Sequence, residues 1–429
     1  MDNRLLMKQR NMYLDEIIAA QKRGEARGIT SVCSAHPLVI QQTLKISQSF
    51  GISPLIEATC NQVNQYGGYT GMRPKDFIAY VRGIAEETDF PFEDIILGGD
   101  HLGPNVWQNE PSESAMQKSA VMMQEYIQAG FVKIHLDCSM RLGNDPQILD
   151  VEVSAKRTAQ LAKIAEDSAG KERRNALRYV IGTEVPVPGG AHEHEEIVSV
   201  TNVADVQQTI QVTQEAFLRE GLAEAWERVI GVVVQPGLEF GDDFVLPYIP
   251  QAAHNLSTFI KSQKVVYEAH STDYQTCEAL KNLVEDHFAI LKVGPALTFA
   301  YREGIFALAM IEDEMITKDR RSNIIQVLDY AMVDHPKYWQ KYYQGSERDL
   351  AFKRKYSLSD RTRYYWMQAE VQKAYNQLMT NLGKNILPFS LLSQFVGETN
   401  LTTEQVVQLK IDQVLENYFR ACNGMKKFS

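Results

Sequence analysis

Ile95-Ile96-Leu97-Gly98-Gly99-Asp100-His101-Leu102-Gly103-Pro104-Asn105 decides how the rest of the chain is read. An apolar run of strand length meets two glycines, then an acid and an imidazole side by side, then two more helix breakers. Ending a buried strand in Asp100 and His101 is costly unless both are partnered. Taken alone, the pair fits a capping aspartate beside a surface histidine. It fits equally a reactive acid beside a metal-binding imidazole. The choice turns on whether other strands end the same way.

Seven further apolar runs share the character of residues 94–97: 29–33, 54–58, 132–136, 179–183, 229–234, 265–268 and 288–293. They are rich in Val and Ile and lack clean alternation, as parallel strands buried on both faces do. Helical stretches lie between them. Those at 37–49 and 74–87 open on proline, and 112–129 stops at Gly130. Others are expected at 155–169, 205–220, 275–285 and 295–315. This is the rhythm of an α/β fold, a TIM (β/α)8 barrel over residues 29–315. An amphipathic N-terminal helix (1–28) precedes it and a helical C-terminal extension (316–429) follows. The extension is dense in Tyr, Trp and Arg at 334–343 and 356–366, then continues as a helical tail over 368–419 punctuated by Pro388. It is expected to cover the barrel or to form a subunit contact. A doubly wound sheet is disfavoured because no G-x-G-x-x-G or G-x-x-x-x-G-K-[ST] follows any strand, and no nucleotide cofactor is expected.

The formal net charge of -10 argues against nucleic acid and anionic membranes as partners. Five cysteines without a C-x-x-C pair fit a reducing compartment. The N-terminus lacks the unbroken apolar region of a signal peptide, and no apolar stretch nears the roughly 20 residues of a membrane span. A cytoplasmic protein is expected.

Barrel chemistry sits at the carboxyl ends of the strands. Those ends offer, in order, Ser34 and His36; Glu57 and Asn61; Asp100 and His101; His135 and Asp137; Glu184; Gln235; Glu268, His270 and Asp273; and Lys292. A mere scaffold has no need of such a ring. His101 and His270 are the metal-ligand candidates, because neutral imidazole is the commonest ligand of catalytic zinc. His135 lies within its strand and reads as packing in the barrel. Glu184 precedes the stiff Val-Pro-Val-Pro-Gly-Gly turn, as a metal ligand or an acid–base group; Asp100 and Asp273 are the other acid–base candidates. Ser271, Thr272 and Gly294 follow the last two strands, where barrels commonly hold phosphate at a helix N-terminus, with Lys292 or Arg302 adding charge. Ser34, Asn61 and Gln235 complete the substrate-binding set. The tract His192-Glu193-His194-Glu195 reads as a solvated loop, and Cys60 and Cys138 as small buried hydrophobes.

Several stretches carry a family resemblance: Val32-Cys-Ser-Ala-His-Pro-Leu, Ile56-Glu-Ala-Thr-Cys-Asn-Gln-Val-Asn-Gln-Tyr-Gly-Gly-Tyr-Thr-Gly-Met, and Gly98-Gly-Asp-His-Leu-Gly-Pro-Asn. Gly182-Thr-Glu-Val-Pro-Val-Pro-Gly-Gly, Tyr267-Glu-Ala-His-Ser-Thr-Asp-Tyr-Gln-Thr, Leu291-Lys-Val-Gly-Pro-Ala-Leu-Thr-Phe-Ala and Tyr356-Ser-Leu-Ser-Asp-Arg continue it through nearly the whole chain. Together they resemble the companion subunits of class II D-tagatose-1,6-bisphosphate aldolase, a family related to the catalytic zinc-dependent class II aldolases. The resemblance implies a zinc-binding His101 beside an acid–base Asp100, a fourth-strand pattern from Gly130-Phe131 to Asp137 and Ser139, and a second zinc ligand at His270. The chain departs from those aldolases at the sixth strand, where Gln235-Pro236-Gly237 stands in place of a further histidine. The metal site is then either lost or completed by Glu184 and Gln235.

The function so implied is a non-catalytic subunit needed for full activity and stability of a catalytic tagatose-bisphosphate aldolase subunit in carbohydrate catabolism. The alternative is a metal-dependent 4-epimerase converting tagatose 6-phosphate to fructose 6-phosphate by retro-aldol and aldol chemistry. A tagatose 6-phosphate kinase, a label some relatives carry, lacks a phosphate-cradling lysine motif here. The expected ligands are a divalent metal (Zn2+ first, Mn2+ or Mg2+ otherwise) and a ketose phosphate. The expected partners are the catalytic subunit or further copies of this chain.

Overall fold

Eight strands, β1 (Ile29–Val32), β2 (Leu55–Thr59), β3 (Ile96–Leu102), β4 (Lys133–Leu136), β5 (Arg178–Ile181), β6 (Val229–Val233), β7 (Val266–Ala269) and β8 (Phe288–Val293), close into a parallel barrel. Each pairs with its neighbours in sequence, and β1 pairs with β8 in register from Ile29↔Ile290 to Val32↔Val293. The computed structural model describes residues 3–182 and 198–424, with side chains from residue 13 onward.

The helices wrap the strands in the order the sequence implies, with the single turn Ala223–Trp226 before β6 and one longer helix added. Pro250–Ile260, opened by its proline, connects β6 to β7. The strand expected at 94–97 runs on to Leu102. Its two glycines do not end it; they make room. A Cβ on Gly98 would lie 2.2 Å from Glu57 Oε1, and one on Gly99 would lie 2.5 Å from Leu102 Cδ1.

The inside of the barrel changes character along its axis. One end is apolar: Ile29, Leu55, Ile96, Val180, Ile230, Val266 and Ile290 cluster with Leu14 and Ile17 of the helix Asn3–Lys22. That helix closes the amino end of the barrel. Lys22 Nζ ties it down by donating to Ile260 O at 3.0 Å and Val265 O at 2.6 Å. Two residues further along β2, β7 and β8 stand the buried charges Glu57, Glu268 and Lys292, and nearer the carboxyl ends stand His101, His135 and His270.

The C-terminal part does two things. Its last helix, Thr403–Asn423, packs against Pro295–Met315, Cys277–Glu285 and Pro37–Phe50 on the barrel wall. The approach is close enough that a Cβ on Gly304 would lie 2.9 Å from Val407 Cα. Tyr418 Oη donates to Thr272 O at 2.7 Å, and Gly28 N donates to Cys422 O at 2.8 Å. The earlier part, through Glu347–Tyr356 to Trp366, brings its aromatic and arginine-rich residues over the carboxyl end of the barrel. Among the described residues no helix is long and apolar enough to cross a membrane.

Candidate functional site

Lys133 is fully buried inside the barrel. Its Nζ lies 2.8 Å from Glu57 Oε1 and 2.6 Å from Glu268 Oε2. A second buried ammonium, Lys292, contacts the other Glu57 oxygen and lies 2.7 Å from Asp100 Oδ1. Ser31 Oγ donates to Glu57 Oε2 at 2.7 Å. Burial alone would drive both lysines toward neutrality. The carboxylates around them outweigh it and hold both above their ordinary values, so they are ammonium ions and not nucleophiles. Burial pushes Glu268 and Asp100 upward in the same way. Lys133 and Lys292 overcome it for Glu268, and His101 and Lys292 for Asp100, leaving both carboxyls well below the usual range.

Three imidazoles stand above this layer. The ring centroids of His101, His135 and His270 are 5.0, 4.9 and 5.1 Å apart pairwise. Each has one nitrogen held by a carboxylate: His101 Nδ1 by Asp137 Oδ2 at 2.7 Å, His135 Nδ1 by Asp100 Oδ1 at 2.9 Å, and His270 Nε2 by Glu268 Oε1 at 2.9 Å. Carboxylates behind imidazoles in this way fix ring orientation and tautomer for a metal on the other nitrogen. Those other nitrogens are His101 Nε2, His135 Nε2 and His270 Nδ1. With Asp100 the three histidines offer ligand atoms within 4.8 Å of one another. His101 has a backbone φ of 48° and Ser271 one of 54°, a region L-residues rarely occupy and one that recurs at functional sites.

Two observations test whether a cation fits. His135 Nε2 is buried without a hydrogen-bond partner. In addition, the lumen holds four buried carboxylates (Glu57, Asp100, Asp137, Glu268) against two ammoniums (Lys133, Lys292), a balance of four minus two, or -2, with neutral histidines. Uncompensated charge of that size is not sustained in a protein interior. A dication matches it. Burial holds His270 down to about 3, neutral and able to ligate; Asp100 and Asp137 outweigh burial at His101 and raise it, so a cation there takes the place of a proton on that ring. The residues fit a divalent metal.

His135 is therefore the third imidazole of the cluster, where its place within a strand suggested packing. Alternation along β4 puts it on the same face as Lys133. Gln235, expected to complete the site, is turned elsewhere: its Oε1 accepts from Gly237 N at 2.9 Å and Leu238 N at 3.2 Å. Glu184 and the tract at 192–195 lie outside the described residues.

A cavity of about 820 Å3 opens above the histidines. Ser34, Asn61, Asp100, His101, His270, Ser271, Asp273, Lys292 and Gly294 line it; Thr272 does not. The Thr272 hydroxyl donates to Lys292 O and contacts Tyr418 Oη, a wall contact far from phosphate duty. Gly294 N and Ala296 N, the amides expected to hold phosphate, donate to Asp273 Oδ1 at 3.0 and 2.9 Å. The chain caps this helix with its own carboxylate. Arg302 is also placed differently: it is buried against Phe299 and Asp360, beneath the extension.

Burial raises Asp273 to about 6, against the pull of those two amides. A raised carboxyl pKa contributes stability while protonated and loses it as pH climbs through about 6. Asn keeps an acceptor for both amides without titrating. Asp273→Asn should exceed the native chain by roughly 1–2 kcal/mol at pH 5 and by roughly 2–3 kcal/mol at pH 8, read from urea midpoints at the two pH values.

The sequence reading missed the roof of the cavity. Tyr338, Tyr342, Arg361, Arg363, Tyr364 and Trp366 line it from the extension. The only signal for them was their aromatic and arginine density.

The family model described as "D-tagatose-1,6-bisphosphate aldolase subunit GatZ/KbaZ-like" matches residues 14–423. Proteins named "D-tagatose-1,6-bisphosphate aldolase subunit GatZ" from Salmonella gallinarum and Salmonella heidelberg are each 50% identical over 418 residues, covering 95% of this chain and 99% of theirs. A crystal structure of "a probable tagatose 6 phosphate kinase" from Sinorhizobium meliloti 1021 is similar with a TM-score of 0.85 and 42% identity, over 92% of this chain and 100% of that one.

Proposed function

The chain belongs to the GatZ/KbaZ-like family of D-tagatose-1,6-bisphosphate aldolase subunits, and from that premise we propose that it is the companion subunit of such an aldolase. In this reading it sustains the activity and stability of a catalytic partner subunit. The observation that carries it is similarity at 50% identity across 95% of the chain to subunits bearing that name.

The histidine floor would hold one divalent cation through His101, His135 and His270, with Asp100 adjacent. A donor set of three imidazoles favours Zn2+ over Mn2+ or Mg2+, which prefer oxygen ligands. A cation bound there would supply Lewis acidity toward a ketose oxygen. The chain's own residues do the rest. Asp137 and Glu268 fix the rings of His101 and His270. Lys292 keeps Asp100 ionised at the cavity floor, so Asp100 is set to accept a proton from a sugar hydroxyl. Ser34, Asn61 and Ser271 offer hydrogen-bonding groups to the remaining hydroxyls.

The kinase name of the Sinorhizobium protein finds no support in this sequence, which carries no G-x-x-x-x-G-K-[ST]. The companion role is tested by producing a catalytic tagatose-bisphosphate aldolase subunit with and without this chain. Co-purification, with several-fold higher and longer-lived cleavage of the bisphosphate, is the expected result. Equal activity and lifetime in both preparations would overturn it. Conversion of tagatose 6-phosphate by this chain alone would replace it with the epimerase reading.

A further inference from the structure

We propose that the roof of the barrel mouth is an anion site in which Arg361 and Arg363 bind the phosphate of a small sugar phosphate, its polyol end facing the histidine floor. The sugar class rests on the aldolase-subunit reading; the anion site rests on the charges themselves.

Arg361 is 3% exposed and lines the cavity. Its Nη1 donates to Tyr338 O at 2.8 Å and its guanidinium lies 3.2 Å from the centre of the Tyr342 ring, while Nε is buried with no hydrogen-bond partner. Arg363 is held by neutral acceptors: Nη1 by Ser359 O and Asp360 O, and Nη2 by Tyr364 Oη at 3.0 Å. Among the described residues neither guanidinium forms an ion pair. The acid closest to hand, Asp360, takes the Thr362 hydroxyl at 2.6 Å and lies 3.8 Å from Arg302 Nε. Between barrel and extension there are thus three guanidiniums (Arg302, Arg361, Arg363) to two carboxylates (Asp360, Asp273), three minus two, or +1. Asp273, also on the cavity wall, is committed to the amides of Gly294 and Ala296.

A surplus of positive charge in a partly desolvated roof calls for an anion, and planar guanidinium forks suit phosphate oxygens. With a dication on the histidines the floor's carboxylates are balanced, whereas the roof's guanidiniums are not, so phosphate is drawn to the roof and the ligand has one orientation. A cavity of about 820 Å3 is of the size that encloses small ligands. Lys337, exposed on the rim, adds a third cation at the entrance.

The test is calorimetric titration of the full chain with a hexulose 6-phosphate, the same hexulose without phosphate, and inorganic phosphate. The phosphate ester should bind about 100-fold or more tighter than the free sugar, and inorganic phosphate should compete with it. Arg361→Gln and Arg363→Gln should each weaken the ester by about ten-fold or more, with zinc content and affinity for the free sugar unchanged. Lys337→Gln, too exposed to disturb folding, should weaken it a few-fold and flatten its salt dependence. Ester and free sugar binding alike would overturn the proposal. So would folded arginine variants that bind normally or, should these misfold, a Lys337→Gln chain with unaltered affinity and salt dependence. None of these titrations involves an aldolase partner, so the companion role stands or falls separately.

Discussion

Lys133→Met is expected to lower the stability of the chain by about 3–5 kcal/mol at pH 7. The substitution keeps most of the side-chain volume and removes only the charge. It leaves Glu57 Oε1 and Glu268 Oε2 facing each other across the barrel without the ammonium that stood between them. Lys292 takes over only in part, because its Nζ is engaged by Glu57 Oε2 and Asp100 and lies 3.8 Å from Glu268 Oε1. Two outcomes separate this account from a simple packing defect. Adding Glu268→Gln to Lys133→Met should restore part of the loss, since the second change removes one of the stranded charges. The deficit should also shrink between pH 7 and pH 5, because the unpaired carboxylates of the variant can then take up protons. The native chain has the opposite slope. Its Glu268 is held low, so its contribution is kept above the ordinary carboxylate range and lost as acid drives protonation. Equal urea midpoints for native and Lys133→Met chains would refute the buried pairing.

His135→Ala should reduce zinc affinity by more than about 100-fold, beyond the 10–100-fold that loss of an outer-shell partner costs. Asp137→Asn supplies that comparison. It leaves the His101 ring in place but weakens the acceptor that orients it, and a loss of about 10–100-fold is expected. Gln235→Ala should leave zinc affinity untouched, because its side chain is spent on its own turn. Competition against a chromophoric chelator measures all three. Full zinc binding by His135→Ala, or loss of it in Gln235→Ala, would return the third ligand to the sixth strand.

These three positions also show where sequence reading stops. The barrel was legible because parallel strands buried on both faces leave a signal each strand carries by itself. Asp100, His101 and His270 were legible because they sit at strand ends, where the fold places chemistry. His135 was not. Its role depends on which face of β4 points inward, and that parity is set by register with β3 and β5, not by the residues around it. A lysine at position 133, one turn of the pleat earlier on the same face, was the available clue: an ammonium inside an apolar run demands carboxylates from other strands. The phosphate expectation at Gly294 failed for a related reason. Its amides are free until Asp273, from a different strand end, folds against them. Arg361 and Arg363 were beyond reach because nothing local says which surface an extension will cover.

The hydrogen bond from Gly28 to Cys422 has a consequence for how the chain comes to be folded. It joins residues 394 positions apart, beside the β1–β8 seam that closes the barrel, and the helix Thr403–Asn423 lies across that seam. Contacts of such sequence separation are slow to form, because a large loop must close before they are rewarded. A nascent chain halted before Thr403 has every strand but not the outer brace of its first and last ones. Bracing of the seam therefore waits for synthesis of residues 403–423, and until then the seam edges of β1 and β8 are less protected against misassociation.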